Sequence, residues 1–274
     1  MNGVPMRETN GNENQPGLVI EQYRDDQRLR ARYALHEHFS TADIDYLEWI
    51  FDHLVGYDPA SIFDLGCGPG YIWQHNAERI PEKYLIRLGD RSAGMLARAV
   101  EQLGSLSANV DYVQLEAEQL PFATDEFDAV LCLHVLHHLK DVRVVLEQVR
   151  RVLEPGGILL AATNGDLHMH EFREALKRFG VQTEYFKTGY DFSLQNGRSQ
   201  LLELFDRVEC IHFSDALRVT QVEPLMAYAR SGIPERQEAD QEAPLARLES
   251  YWQLELNREG AIHIQKQAGL FIAE

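Results

Sequence analysis

Asp64, Gly66, Gly68 and Gly70, spaced two apart in SIFDLGCGPGYIW, are the residues of this 274-residue chain best suited to hold a ligand against main chain. Each missing Cβ permits a positive φ or a close backbone approach, and Cys67 lies on the same turn. A dinucleotide turn reads G-x-G-x-x-G and seats a pyrophosphate on a helix N-terminus. Here the glycines read G-x-G-x-G, with an acid two residues ahead. Asp64 would repel an anion and attract a cation, so the expected ligand is positively charged and lacks phosphate. Asp90 lies 20 residues after Gly70, the distance at which an acid ending the next strand accepts hydrogen bonds from ribose hydroxyls. His134 and His168 follow expected strand ends, and an imidazole there can take a proton near neutral pH. Tyr190 is a third, weaker candidate for that role.

These residues need a scaffold, and the apolar pattern supplies one. Short apolar runs at Ile62–Leu65, Tyr84–Leu88, Val110–Leu115 and Phe127–Leu133 suit strands covered on both faces. A fifth strand is expected after the turn Leu153-Glu154-Pro155-Gly156-Gly157, and a sixth at Val208–Phe213. Helical segments alternate with them: His75–Ile80, one beginning near Met95, Val142–Val152, one ending near Phe179, Gln221–Ser231 and Leu245–Leu256. That alternation predicts an α/β, Rossmann-like, doubly wound sheet with helices on both faces. Residues 1–17 read as a disordered tail, and 18–56 as an N-terminal helical cap with an N-cap segment at Ser40-Thr41-Ala42-Asp43. The main domain spans 57–274, with a lid insertion after strand five over about 165–206 that includes Phe186, Tyr190 and Phe192. The pattern of Ala261–Ala273 suits a final strand interrupted at Gly269.

At the glycine turn the chain resembles the class I S-adenosylmethionine-dependent methyltransferases, whose first motif, [DE]-x-G-x-G-x-G, is matched by Asp64, Gly66, Gly68 and Gly70. The segment Asp90-Arg91-Ser92-Ala93-Gly94-Met95-Leu96 resembles that family's D-x-S-x-x-M-L. Glu116-Ala117 through Leu120-Pro121-Phe122 resembles D-A-x-x-L-P-F, with Glu replacing Asp, and RRVLEPGG resembles R-x-L-K-P-G-G. Residues 61–163 carry the resemblance. It implies a seven-stranded, mostly parallel sheet whose last strand is antiparallel, and S-adenosylmethionine as cofactor. It further implies that Glu116 and the Ala117 N–H meet the adenine, and that Cys67, Arg91, Met95, Leu133 and His134 line the cofactor site. The implied activity is methyl transfer to oxygen or nitrogen of a small-molecule acceptor, with secondary metabolism as the wider setting.

Composition narrows the alternatives. With 26 Lys and Arg against 43 Asp and Glu, the net charge is -17, a field that disfavours phosphate backbones and anionic membranes. An RNA-modifying methyltransferase is therefore a minor alternative, and nucleic acid an unexpected partner. The [DN]-P-P-[YFW] of amino-methylating enzymes is replaced by Leu133-His134-Val135-Leu136. An oxidoreductase would need a different glycine spacing, whereas a non-catalytic S-adenosylmethionine-binding protein would need none. His137 and His138 read as helix-surface or packing residues. His168, His170 and Glu171 have no matching Cys or His cluster, so no metal is expected. Three scattered cysteines and the lack of a long apolar run predict a cytoplasmic protein with no membrane span.

Overall fold

A computed structural model of the chain describes residues 27–104, 109–183 and 190–274. The tail expected over 1–17, residues 21–26 of the leading helical segment, and Phe186 lie outside them. The sheet comprises β1 (Ser61–Leu65), β2 (Leu85–Asp90), β3 (Asn109–Gln114), β4 (Phe127–Leu133), β5 (Leu153–Asn164), β6 (Val208–Phe213) and β9 (Ala268–Ala273), in the order β3-β2-β1-β4-β5-β9-β6. Only β9 runs antiparallel, paired with β5 on one side and β6 on the other. The strand order reverses between β1 and β4, which pair through Asp64 and Leu131. In an open parallel sheet the crevice at such a reversal, beyond the strands' carboxyl ends, is where ligands bind.

Two apolar layers sandwich the sheet. On one face α5 (Val142–Val152) buries Val142, Val145, Leu146, Val149 and Val152, positions three or four apart that form one helical stripe. On the other face pack α2 (Tyr46–Gly56), α3 (Tyr71–His75) and α4 (Ala93–Leu103). Asp45, not the Ser40–Asp43 segment, caps α2, its carboxylate accepting from Leu47 N at 2.7 Å and Glu48 N at 3.3 Å. The helix expected over His75–Ile80 is instead α3, followed by a 3-10 turn at Ala77–Arg79. The Asn76 amide donates back to Ile72 O at 2.9 Å, an end carbonyl of α3, and across to Leu47 O of α2 at 3.3 Å, which closes α3 there and ties it to α2.

A second core lies above the crevice. It gathers α1 (Gln27–Phe39), α6 (His170–Phe179), α8 (Val222–Ser231), α9 (Glu238–Glu259) and a two-stranded ribbon of β7 (Ala216–Val219) and β8 (Ile262–Gln265). Phe172 stacks on Trp252 at 5.5 Å and meets Tyr228 edge-on at 5.0 Å. The insertion expected over 165–206 therefore divides. Phe172, Leu176 and Val181 enter this cap core, whereas Phe192, Leu194, Leu201 and Phe205 pack on the sheet, the last two in and after α7 (Gly197–Leu201). The last segment breaks at Lys266-Gln267 and not at Gly269, because β8 belongs to the cap and β9 to the sheet. Helix α9 starts at Glu238, ahead of the expected Leu245, and contains Pro244. A proline forfeits one intrahelical bond. Here Gln241, buried and accepting from Gln182 N at 2.8 Å, ties the early turns to the cap.

Candidate active site

Between sheet and cap lies a cavity of about 1090 Å³. A single small-molecule pocket is usually about 300–1,000 Å³, so this one has room for a cofactor and a second molecule. Its floor is the turn from β1 to α3. Gly66 N and Cys67 N donate to Gly89 O at 2.8 and 3.0 Å, and Gly68 N donates to Asp90 Oδ2 at 2.9 Å. Gly68 has φ +55°, and a Cβ there would meet no protein atom within 4 Å, so the space beside it is left to a ligand. Gly70 has φ +77° for a different reason: a Cβ would stand 2.7 Å from Leu103 Cδ1, so this glycine serves the packing of α3 on α4. Gly70 is also absent from the cavity wall, which Asp64, Gly66, Cys67 and Gly68 do line.

Asp64 is 1% exposed. Trp73 Nε1 donates to its Oδ2 at 2.8 Å, while its buried Oδ1 has no hydrogen-bond partner. Burial pushes the carboxyl up to about 7 against the pull of the indole N–H, and the nearby Asp90 raises it further. The structure thus leaves one carboxylate oxygen in want of a positively charged or donor group, which is what the ammonium of the implied cofactor would supply. Asp90 accepts from Ser92 N at 2.8 Å as well as from Gly68 N, and burial outweighs these bonds in raising its pKa. A carboxylate has about four acceptor positions, so capacity for ribose hydroxyls remains. Met95 and Ala117 are buried cavity residues, and Leu133 adds apolar wall. Glu116 faces Arg91 across the rim, with Oε1 3.2 Å from Arg91 Nε. Its carboxylate therefore arrives already paired with that guanidinium.

His134 follows β4 in a left-handed conformation, φ +57°, a backbone state that side chains other than glycine occupy at a cost of about 1–3 kcal/mol and that clusters at functional sites. Its Nε2 is 3.0 Å from the Tyr46 hydroxyl, which comes from the first turn of α2. Burial, with Lys266 nearby, holds the imidazole neutral by lowering it to about 4. His168 also lines the cavity, and its Nδ1 accepts from Gln267 N at 3.2 Å. A neutral imidazole with Nδ1 as acceptor carries its proton on Nε2, so His168 offers the cavity a donor and not the proton acceptor expected of it. His137 and His138 likewise line the cavity instead of an outer helix face, and the Tyr190 ring lies 5.2 Å from that of His137.

Several wall residues were not singled out as site residues in the sequence. Tyr46 and His36 come from the leading helices. Lys266, at the β8–β9 junction, forms a buried ion pair with Asp215, which also accepts from Ser40 Oγ at 2.8 Å and Thr41 N at 3.0 Å. The spacing of Arg32 and His36, four apart on one helix, could have shown that they share a face; nothing local marks Lys266. Among the described residues no group of three His, Cys, Asp or Glu is placed to hold a metal ion, and no helix is long and apolar enough to cross a membrane.

The match to known proteins falls on the segment that supplies the floor of this cavity. Residues 63–161 match the family described as "Methyltransferase domain". A ubiquinone/menaquinone biosynthesis C-methyltransferase, UbiE, of Xanthomonas campestris is 34% identical over 148 residues, 53% of each chain. A malonyl-[acyl-carrier protein] O-methyltransferase of Legionella pneumophila is 31% identical over 160 residues, 57% of this chain and 51% of the relative. The chain thus spans about half the length of these curated relatives. Among solved structures, the [4+2]-cyclase SpnF shares the fold with a TM-score of 0.58 at 16% identity, covering 95% of this chain and 96% of that one. YcgJ from Bacillus subtilis does so with a TM-score of 0.56 at 19% identity, covering 82% and 97%.

Proposed function

Since residues 63–161 carry a methyltransferase domain, we propose that this protein transfers a methyl group from S-adenosylmethionine to an oxygen or nitrogen of a small molecule held beneath the cap. The observation that carries this reading is the buried, unpartnered Oδ1 of Asp64 at the foot of a cavity that continues to His134 and His168. When bound, the donor supplies the electrophile: its methyl carbon bonds to the acceptor's lone pair, and the carbon–sulfur electron pair returns to sulfur. Asp64 would receive the ammonium and Asp90 the ribose hydroxyls. Glu116, Ala117, Met95 and Leu133 would enclose the adenine side, with Cys67 and the main chain of Gly66 and Gly68 beneath. The cap would exclude water and align the acceptor, which is most of what an in-line displacement asks of a protein.

His134 would take the acceptor's proton, directly at Nδ1 or through the Tyr46 hydroxyl at Nε2, depending on which partner holds the shared hydrogen. In both cases the proton ends on His134. His168 would hydrogen-bond the acceptor from Nε2. The wider setting we favour is small-molecule metabolism in the cytoplasm, supported by three unpaired cysteines. Turnover tests the reading: with S-adenosylmethionine and a panel of hydroxylated and amino acceptors, S-adenosylhomocysteine should accumulate. His134→Gln should lower kcat about 100-fold, the low end of the range for a general base, and Tyr46→Phe about tenfold, less than that range because it removes only a relay. Losses below about twofold in both would remove proton transfer from the mechanism and leave alignment alone.

A further inference from the structure

Beyond His134 the cavity wall is dominated by five imidazoles, those of His36, His134, His137, His138 and His168. They fall in two groups on the same cavity wall: His36 and His168, with ring centroids 5.9 Å apart, and His134, His137 and His138, with centroids 6.1 Å apart for the first pair and 4.2 Å for the second. Two nitrogens in this wall, Nδ1 of His36 and Nδ1 of His137, are buried without a hydrogen bond. One comes from the cap helix α1 and the other from the turn after β4, so residues that line the cavity from above and from below each hold a buried nitrogen without a partner. A buried ring nitrogen left unpaired costs about 1–3 kcal/mol, and a bound molecule is the natural source of its partner.

The cationic side chains deep in this wall already have partners within the protein. Lys266 is paired with Asp215, Arg32 donates to Ser231 Oγ and O at 3.0 and 2.8 Å, and Arg173 donates to Asp166 O. Of the acids lining the cavity, Asp64 and Asp90 belong to the floor, Glu116 pairs with Arg91 at the rim, Asp45 caps α2, and Glu37, Asp43 and Glu118 are exposed. No buried carboxylate is left to receive an ammonium group among the described residues. A neutral imidazole presents one donor and one acceptor; an ammonium only donates and a carboxylate only accepts, whereas a hydroxyl does both. The walls themselves are rings, with Tyr228 edge-on to His36 at 5.6 Å and Tyr46 beside His134 at 5.6 Å, a surface that favours another aromatic ring.

We propose that this half of the cavity takes an uncharged aromatic acceptor through its hydroxyl groups, which pair with the buried ring nitrogens of His36 and His137, and that a hydroxyl oxygen is the atom methylated. The inference rests on the methyltransferase reading and narrows it. In the step it implies, the hydroxyl O–H bond breaks and its proton passes to His134. The O–CH3 bond forms as the CH3–S bond breaks, and the electron pair stays on sulfur, so an ether and a thioether leave.

The test is binding, read by titration calorimetry on the full chain saturated with S-adenosylhomocysteine. Three probes of one shape are compared at pH 7.5: 2-naphthol, 2-naphthoate and 2-naphthylmethylammonium. Naphthol should bind at least about tenfold tighter than either ion, a difference of about 1.4 kcal/mol. His36→Leu and His137→Leu should each weaken naphthol about fivefold while the affinity for S-adenosylhomocysteine, which also reports that the variants fold, stays within twofold. An ammonium probe that binds as tightly as naphthol overturns the proposal, as does naphthol binding that is absent or indifferent to both substitutions. Failure of S-adenosylhomocysteine itself to bind the wild type would instead strike the methyltransferase reading, and this inference with it.

Discussion

A carboxylate with one oxygen on an indole N–H and the other on nothing is costly to bury, and Asp64 is such a group. Burial raises it to about 7, so in the free protein near neutral pH a large fraction of Asp64 is protonated. A cationic ligand group reverses that preference, because it favours the ionised form. Binding of S-adenosylmethionine should therefore release a proton below pH 7, and affinity should rise about tenfold from pH 6 to pH 8 before levelling off. Calorimetry in two buffers of different ionisation enthalpy would count the proton. Asp64→Asn should bind weakly and without this slope; a wild-type affinity flat across that range would show that Asp64 does not meet the cation. Asp64 and Asp90 were legible in the sequence because their meaning is local, each a fixed distance from the glycines on a single βαβ unit. The roles of Tyr46 and His36 were not, since their nearest functional neighbours are remote in sequence: Tyr46 reaches His134, 88 residues away.

At the scale of elements, the cap is joined to the sheet at crossings that converge. Asp215 sits where β6 gives way to β7, Lys266 where β8 gives way to β9, and Ser40-Thr41 between α1 and α2; Asp215 binds all of them. Burial raises the Asp215 carboxyl, but Lys266, Ser40 and Thr41 N outweigh it and hold the pKa below the ordinary value. Removing one partner of a buried pair leaves the other uncompensated, at about 3–5 kcal/mol. Asp215→Ala should lose stability on that scale in denaturant unfolding, and Asp215→Asn, which keeps the hydroxyl and backbone contacts, should lose less. Equal, small losses in both would mean that the junction is not held there. The strands of the sheet were readable as apolar runs bounded by turns. The ribbon of β7 and β8 was not, because a four-residue strand such as Ala216–Val219 has almost no period of its own, and its partner, Ile262–Gln265, lies beyond two helices.

For the whole molecule, the distribution of titratable groups fixes how the fold responds to acid. Burial holds His36, His137 and His168 well below the ordinary histidine value, His134 at about 4 and His138 at about 3. The unfolded chain binds these protons near pH 6.5, so the stability that the neutral rings contribute is present above 6.5 and is lost as pH falls through the folded values. Asp64 and Asp90, raised by burial, act in the opposite sense, but two groups oppose five. The melting temperature should therefore fall steadily from pH 7 to pH 5, and a flat or rising profile over that interval would contradict the burial of this cluster. Such a cluster is invisible to sequence reasoning, because its members come from α1, the turn after β4 and the segment after β5, and only the packing of cap on sheet brings them together.

The central claim, that the glycine turn and Asp64 hold S-adenosylmethionine, is tested most directly by titration calorimetry of the wild type with S-adenosylhomocysteine and, in parallel, NADH. The account predicts one-to-one micromolar binding of S-adenosylhomocysteine, no binding of NADH, and loss of the adenosyl ligand in a folded Asp64→Asn variant. Heat with NADH, or none with S-adenosylhomocysteine in the presence and absence of 2-naphthol, would contradict it.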